Sequence, residues 1–246
     1  HTRYRGVTGV QTCALPIFVV FASGIFISHR LFKDRPGEAV ASGFSGTFTN
    51  TVLIGIPILQ RAYGHDALIT AFSIIAFHAS MLITLGMLVM EFARRDGAPL
   101  RKTMWVAFQR VVANPLLWGI ALGVAVNLLD IGLVEPVDAF VKMMAAAVTP
   151  AALFGLGGAL NEYRLSDSWA QSLAMSTLKL LVQPIIAYLL MVHVFHVDHE
   201  FMRYGVLLAA MPTGINAFVF ASYYNRSVNV ATNTILISTV LSVLTV

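Results

Sequence analysis

Apolar stretches of about 17–25 residues recur along the chain, separated by short polar connections. A helix of about 20 apolar residues spans ~30 Å of hydrocarbon at 1.5 Å per residue. The pattern predicts eight membrane spans, at about 18–30, 39–61, 67–91, 106–129, 137–160, 169–193, 203–223 and 228–246. The first span is short, and the chain stops inside the apolar run ILISTVLSVLTV. The expected class is therefore an all-α polytopic membrane protein.

Composition agrees with the pattern. The chain is 57% hydrophobic and 11% charged, against about 45–50% apolar and about 25% charged in soluble domains. Its net charge of +4 would suggest nucleic acid in a soluble protein, but Lys and Arg here lie in loops between spans. Arg30, Lys33 and Arg35 mark one connection, and Arg94, Arg95, Arg101 and Lys102 another. The alternating connection carries Glu135 and Asp138, so the basic loops define the cytoplasmic side. Arg61 and Arg203 are the cations that this assignment leaves on the other side. No nucleic-acid partner is expected.

Residues 1–17, HTRYRGVTGVQTCALPI, have no Met start and no periodicity, and they resemble a translated sequencing-adapter peptide. The reading treats them as an artefactual leader and starts the fold near Phe18. Setting them aside removes Arg3 and Arg5, which lowers the charge from +4 to +2, and removes Cys13, the only cysteine. No disulfide, thiolate metal site or cofactor is expected.

Two spans carry unusual polar and helix-breaking residues. AVASGFSGTFTNTVLIGIPILQR holds Ser42, Ser45, Thr47, Thr49, Asn50 and Thr51 ahead of Gly55 and Pro57, and VLLAAMPTGINAFVFASYYN centres Pro212, Gly214 and Asn216. Proline removes an N–H and clashes one turn back, so both spans are expected to break near the bilayer middle, around Ile54–Pro57 and Pro212–Asn216. Freed backbone groups survive at that depth only where they line a protein-enclosed cavity. Half-helix ends would then offer N–H groups and positive dipoles to an anion, with Asn50 and Asn216 as amide donors. The plainer alternative is a pair of packing kinks; the corresponding positions in two halves argue for a site.

That correspondence rests on counting. Five spans follow the basic loop at 93–105, with the broken one fourth; three precede it, with the broken one second. Restoring two spans at the start makes the halves match, and an odd number of spans per half forces opposite orientations. The expected organisation is the remainder of a first inverted repeat at 18–92 (spans 3–5), a cytoplasmic loop at 93–105 and a second repeat at 106–246 (spans 6–10), with about eight of ten spans present.

Six segments then carry a family resemblance: SGTFTNTVLIGIPI (45–58), ANPLLWGIALG (113–123), TPAALFGLGGAL (149–160), LKLLVQPIIAYLL (178–190), AAMPTGINAFVFASYYN (209–225) and STVLSVLT (238–245). In this order and spacing the chain resembles the auxin efflux carrier family, which includes plant auxin carriers and bacterial malonate or malate permeases. The resemblance implies ten spans in two inverted five-helix repeats, with the fourth and ninth helices crossing at prolines beside the substrate. Those prolines would be Pro57 and Pro212, with Asn50 and Asn216 as polar neighbours.

Lys179 lies about ten residues into its span, where an isolated ammonium is costly unless paired or facing water. Structural pairing and anion attraction are both open to it. His78 is read as a neutral histidine bonded between helices rather than a proton relay, and Gln183 and Tyr188 either line the cavity or bond a neighbouring helix. GFSG (43–46) matches a short intramembrane serine-protease pattern with Ser45 as nucleophile and His78 as base, but close helix packing explains such small residues more simply. HVFHVDHE offers His193, His196, His199, Asp198 and Glu200, ligand types without a second cluster, and is read as an interfacial loop.

The expected function is a secondary carrier of small organic carboxylates in the inner membrane, not an enzyme, working by alternating access. Its expected substrate-binding residues are Asn50, Gly55, Pro57, Pro212, Gly214, Asn216 and Lys179. The expected partners are the carboxylate, the lipid bilayer, a coupling proton or sodium ion and a second copy of the chain. The alternatives are a sodium-coupled organic-anion symporter of the bile acid transporter type and, from another class, an intramembrane serine hydrolase using Ser45 and His78.

Overall fold

A computed structural model describes residues 2–64, 67–94, 99–113, 115–162 and 168–246. The described residues fold as helices: α1 (Thr2–Leu31), α2 (Pro36–Ser45), α3 (Ile56–Tyr63), α4 (Ala67–Ala93), α5 (Leu100–Val112), α6 (Pro115–Leu128), α7 (Glu135–Glu162), α8 (Trp169–Thr177), α9 (Gln183–Leu189), α10 (His199–Ala210), α11 (Asn216–Tyr224) and α12 (Val228–Thr245). Three π-helical turns, Thr51–Gly55, Leu178–Val182 and Leu190–Val194, run straight into neighbouring helices. Four of the described stretches are long and apolar enough to cross a membrane unbroken: Ala14–Leu31, Ala71–Ala93, Trp169–Val194 and Val228–Thr245. The chain is a multi-pass, all-α membrane protein.

Local sequence explains where elements begin and end. Pro36 opens α2, where its missing N–H costs nothing. The Glu38 carboxylate accepts the Arg35 backbone N–H at 3.2 Å, which satisfies a donor at the helix start. Asn225 closes α11 in the left-handed conformation, φ +50°, which asparagine tolerates better than most residues.

One expected span is divided. Among the described residues, the stretch expected at 106–129 is covered by two helices, α5 and α6, and Pro115 opens the second, where its missing N–H costs nothing. Helix α1 runs from Thr2 through Pro16 to Leu31, and its apolar stretch Ala14–Leu31 covers the span expected at 18–30.

An aromatic stack forms the heart of the packing. Phe44 on α2 lies against Phe220 on α11 (ring centroids 4.1 Å, 8° between planes) and Phe48 (5.3 Å), and meets Phe21 on α1 edge-on at 6.4 Å. Gly86 on α4 makes room for it, since a Cβ there would sit 2.8 Å from the Phe44 ring. Lipid tails are as apolar as these rings, so close van der Waals fit rather than escape from water holds the elements together. By contrast α5, α6 and α7 turn many large apolar side chains outward, among them Trp118, Leu122, Phe140 and Phe154.

The two broken helices cross in opposite directions. The start of α2 and the end of α11 share one end of the molecule, where Arg226 pairs with Glu38 at 3.8 Å and Ser227 Oγ donates to the Glu38 carbonyl at 3.1 Å. The end of α3 and the start of α10 share the other, where the rings of Tyr63 and Tyr204 meet at 5.2 Å.

Candidate functional site: the helix crossover

The second break falls where its sequence predicts. Helix α10 ends at Ala210, residues 211–215 leave helical geometry, and α11 starts at Asn216. Pro212 has no N–H for the Leu208 carbonyl, and the Thr213 N–H donates to Ser238 Oγ at 3.0 Å instead of closing a helical turn.

The first break is displaced from its predicted position. The chain leaves helix at residues 46–50, ahead of Ile54–Pro57, and Pro57 sits exposed near the start of α3. The physical reason is the π-helical turn Thr51–Gly55. One extra residue in that turn relaxes the hydrogen-bond ladder where the proline ring would otherwise collide. The hydroxyl-rich stretch makes the break. Ser45 Oγ donates back to the Ala41 carbonyl at 2.9 Å and Thr47 Oγ1 to the Gly43 carbonyl at 2.8 Å, offering the backbone an alternative to continued helix.

At the crossing the two breaks bind each other through backbone. Thr49 and Thr213 form an antiparallel bridge, flanked by Asn50 N–H to the Pro212 carbonyl at 2.8 Å and Gly214 N–H to the Phe48 carbonyl at 2.9 Å. Gly214 is required for this approach: a Cβ there would lie 2.9 Å from the Thr49 carbonyl oxygen. Thr213 Oγ1 adds a bond to the Ser45 carbonyl at 2.9 Å. Gly55 lies one turn on, where a Cβ would meet Leu208 at 2.9 Å.

The predicted amides occupy equivalent places. Asn50 precedes the π turn leading into α3, and Asn216 is the first residue of α11, so each stands at the start of a half-helix leaving the crossing. Both are half-buried, and among the described residues neither side-chain amide has a hydrogen-bond partner. Four further residues complete the polar surroundings. His78 Nε2 accepts the Thr49 N–H at 3.3 Å, which leaves the ring proton on Nδ1 in the neutral form. Gln183 reaches Thr49 Oγ1 at 3.5 Å, while its own Oε1 is buried without a partner. These groups, with Thr51, line a small cavity of about 30 Å³, enough to admit water.

Lys179 is fully buried in the π turn Leu178–Val182, and its Nζ donates to the Ala209 carbonyl at 2.7 Å. That carbonyl is free because its helical partner, the Thr213 N–H, has gone to Ser238. The ammonium thus faces the negative end of the half-helix α10. Thr213 and Ser238 enter the crossing without having been singled out as site residues, whereas Gln183 is one of the residues expected to line the cavity or bond a neighbouring helix, and it lines the cavity. The first two sit in the motifs around 209–225 and 238–245, but a hydroxyl in an apolar run does not announce whose backbone it serves.

Ser45 and His78 do not form a nucleophile and base. Each is committed elsewhere, Ser45 Oγ to Ala41 and His78 Nε2 to Thr49. The histidines of the 193–200 segment are exposed, and among the described residues no three metal-ligand side chains gather.

Two discontinuous helices that cross inside the protein and leave amides and half-helix ends beside the crossing are how secondary carriers build a substrate site. The chain belongs to the membrane transport protein family, which it matches over residues 7–246 and which includes the auxin efflux carriers. Over 243 residues it is 29% identical to the "Putative malonate transporter" of Rhizobium meliloti, covering 98% of this chain and 74% of that protein. An "Uncharacterized transporter" of Methanothermobacter thermautotrophicus is 28% identical over 199 residues, 78% of this chain and 61% of the relative. Auxin efflux carrier component 5 of Arabidopsis thaliana is 24% identical over 212 residues, 72% and 60% respectively. The chain thus spans between 60% and 74% of the length of these relatives.

Proposed function

We propose that the protein is a secondary carrier of small organic carboxylates and that the crossover is its substrate site. The observation that carries this reading is the pair of half-buried amides, Asn50 and Asn216, unbonded at the starts of two half-helices whose positive ends converge on the crossing. A carboxylate accepts hydrogen bonds and donates none, so amide N–H groups and helix starts suit it. Malonate is the first substrate to try, since a relative carries that name.

On this reading residues 18–92 and 106–246 are the two inverted repeats, joined through the cytoplasmic loop 93–105, in a plasma-membrane protein that alternates access by rocking one helix group against the other. Coupling is to a proton or to sodium, the protein works without enzymatic chemistry, and it assembles as a homodimer. Uptake that runs without sodium would exclude a symporter of the bile acid transporter type and leave the proton as the coupling ion.

The test is malonate uptake into proteoliposomes. Asn50→Ala and Asn216→Ala each remove an amide with little packing, so each should raise KM by roughly 10-fold, the equivalent of one hydrogen bond to a charged group at about 1.5 kcal/mol. Membrane insertion should stay intact. Unchanged apparent affinity in both variants would leave the breaks as structural devices only.

A further inference from the structure

The two arginines that the charge pattern leaves on the weakly basic side have a common place in the fold. Arg30, Lys33, Arg35, Arg94 and Arg226 all cluster at the end where α2 begins and α11 stops; Arg94 lies 5.7 Å from the Tyr224 ring and against Gly37. Arg61 on α3 and Arg203 on α10 lie at the opposite end, where those half-helices meet. Both are exposed, and among the described residues neither has a carboxylate within ion-pairing distance.

Arg203 is held in place. Its guanidinium carbon stands 4.6 Å from the centre of the Tyr63 ring, and Tyr63 is itself braced edge-on by Tyr204 at 5.2 Å. A guanidinium lying on an aromatic face is oriented by it while its N–H edges stay free for a two-pronged bond to a carboxylate. Arg203 stands seven residues before Ala210, the last residue of α10, about 10 Å of helix at 1.5 Å per residue from the start of the crossing.

What fills that interval resembles a closed door. Leu59, Met191 and Leu208 are each at most 2% exposed and pack together between the tyrosines and the crossing. Beyond them lies the cavity lined by Thr49, Thr51, His78 and Gln183. Met191 is the part able to swing: its side chain crowds Gly205, where a Cβ would be only 2.6 Å from the methionine methyl, and an unbranched thioether changes rotamer readily.

We propose that Arg203, seated on Tyr63 and assisted by Arg61, is an anion-capture site at the mouth between α3 and α10, which loads the carboxylate before Met191 and Leu208 part to admit it to the crossover. This inference rests on the carrier reading and adds an entry station and a side of entry to it. Interfacial tyrosines and arginines also serve as simple anchors at the membrane surface. An anchor, however, has no reason to alter substrate affinity or its dependence on salt, whereas a steering charge does both.

The experiment is malonate uptake by the intact protein in vesicles of zwitterionic lipid, measured against malonate concentration in low and in high potassium chloride. Arg203→Gln should raise KM about three- to tenfold at low salt with Vmax unchanged, the gap should close at high salt, and Arg203→Lys should keep most of the wild-type affinity. Equal KM and equal salt dependence for Arg203→Gln and wild type overturn the inference while leaving the carrier reading intact. Wild-type protein that moves no malonate overturns the carrier reading and this inference with it. Where Arg203→Gln fails to insert, Arg61→Gln carries the test, with an expected two- to fivefold rise at low salt; an unchanged KM overturns the proposal. The same series in vesicles containing anionic lipid identifies the other source of an oxyanion. An effect seen only there means that the guanidinium holds lipid phosphate, and capture of substrate is refuted.

Discussion

Gly214→Ala tests whether the crossover is held by backbone contact. The added methyl would stand 2.9 Å from the Thr49 carbonyl oxygen and 3.0 Å from both the Thr49 carbonyl carbon and Phe48. Two of those atoms are backbone and cannot rotate away, so the breaks must separate by several tenths of an ångström. That separation strains the Gly214 to Phe48 and Asn50 to Pro212 bonds together. Overpacking at such a site costs about 1–3 kcal/mol and each weakened bond roughly 0.5–1.5, for a total of about 2–6 kcal/mol. Gly55→Ala is the control, because its methyl would meet the Leu208 side chain at a similar 2.9 Å. There a rotamer change relieves the contact, and alanine gains about 0.5–1 kcal/mol over glycine in a helix, so the net effect should be small. Thermal unfolding in detergent should place Gly214→Ala roughly 6–12 °C below wild type, for about 3 kcal/mol at 2–4 °C per kcal/mol, with Gly55→Ala within a few degrees. Equal stability of the two variants would mean that the crossing opens at little cost, and the backbone argument would fail.

Two other perturbations separate the roles of neighbouring residues. Lys179→Met takes the ammonium from the Ala209 carbonyl and should destabilise the folded protein by about 1–3 kcal/mol, read by the same thermal assay; full stability with lost uptake would assign the charge to the substrate instead. Pro57→Ala should leave uptake nearly unchanged because the π turn already relaxes that site, whereas Pro212→Ala restores the backbone N–H that a continued helix needs, lets α10 lengthen and should lower uptake severalfold. Equal losses in the two proline variants would contradict the different roles assigned to them.

Much of the fold was legible because lipid imposes a simple length rule, and five of the eight expected spans coincide with one helix or one helical run. The second break was legible because Pro212 and Gly214 sit at its centre. The first was not. Pro57 drew attention seven residues too far along, since a proline has the same signature whether it breaks a helix or rides on a π turn. The actual break uses Ser45 and Thr47 bonding back to Ala41 and Gly43, and hydroxyls do that in intact helices as well. Lys179 was recognisable as a buried cation, but its partner is a backbone carbonyl, which no residue type betrays. Arg61 and Arg203 stood out as exceptions to the loop charges, while the Tyr63 ring beneath Arg203 belongs to the other broken helix and only folding brings them together.

The distribution of bonds at the crossing bears on how selectivity arises. The hydroxyls of Ser45, Thr47 and Thr213 are spent on backbone carbonyls, His78 is spent on the Thr49 amide, and Lys179 is spent on Ala209. Asn50 and Asn216 are the predicted site residues with side-chain bonds still to make, and neither carries charge. Attraction of an anion at this depth then falls to the half-helix dipoles and to Lys179 acting across the end of α10, neither of which reads the shape of the ligand. Shape would be read by the two amides, which can each grip one carboxylate. Affinity should therefore depend more steeply on whether a ligand presents its carboxylates to both amides than on its total charge. A monocarboxylate of the same length competing as well as malonate would contradict that division of labour.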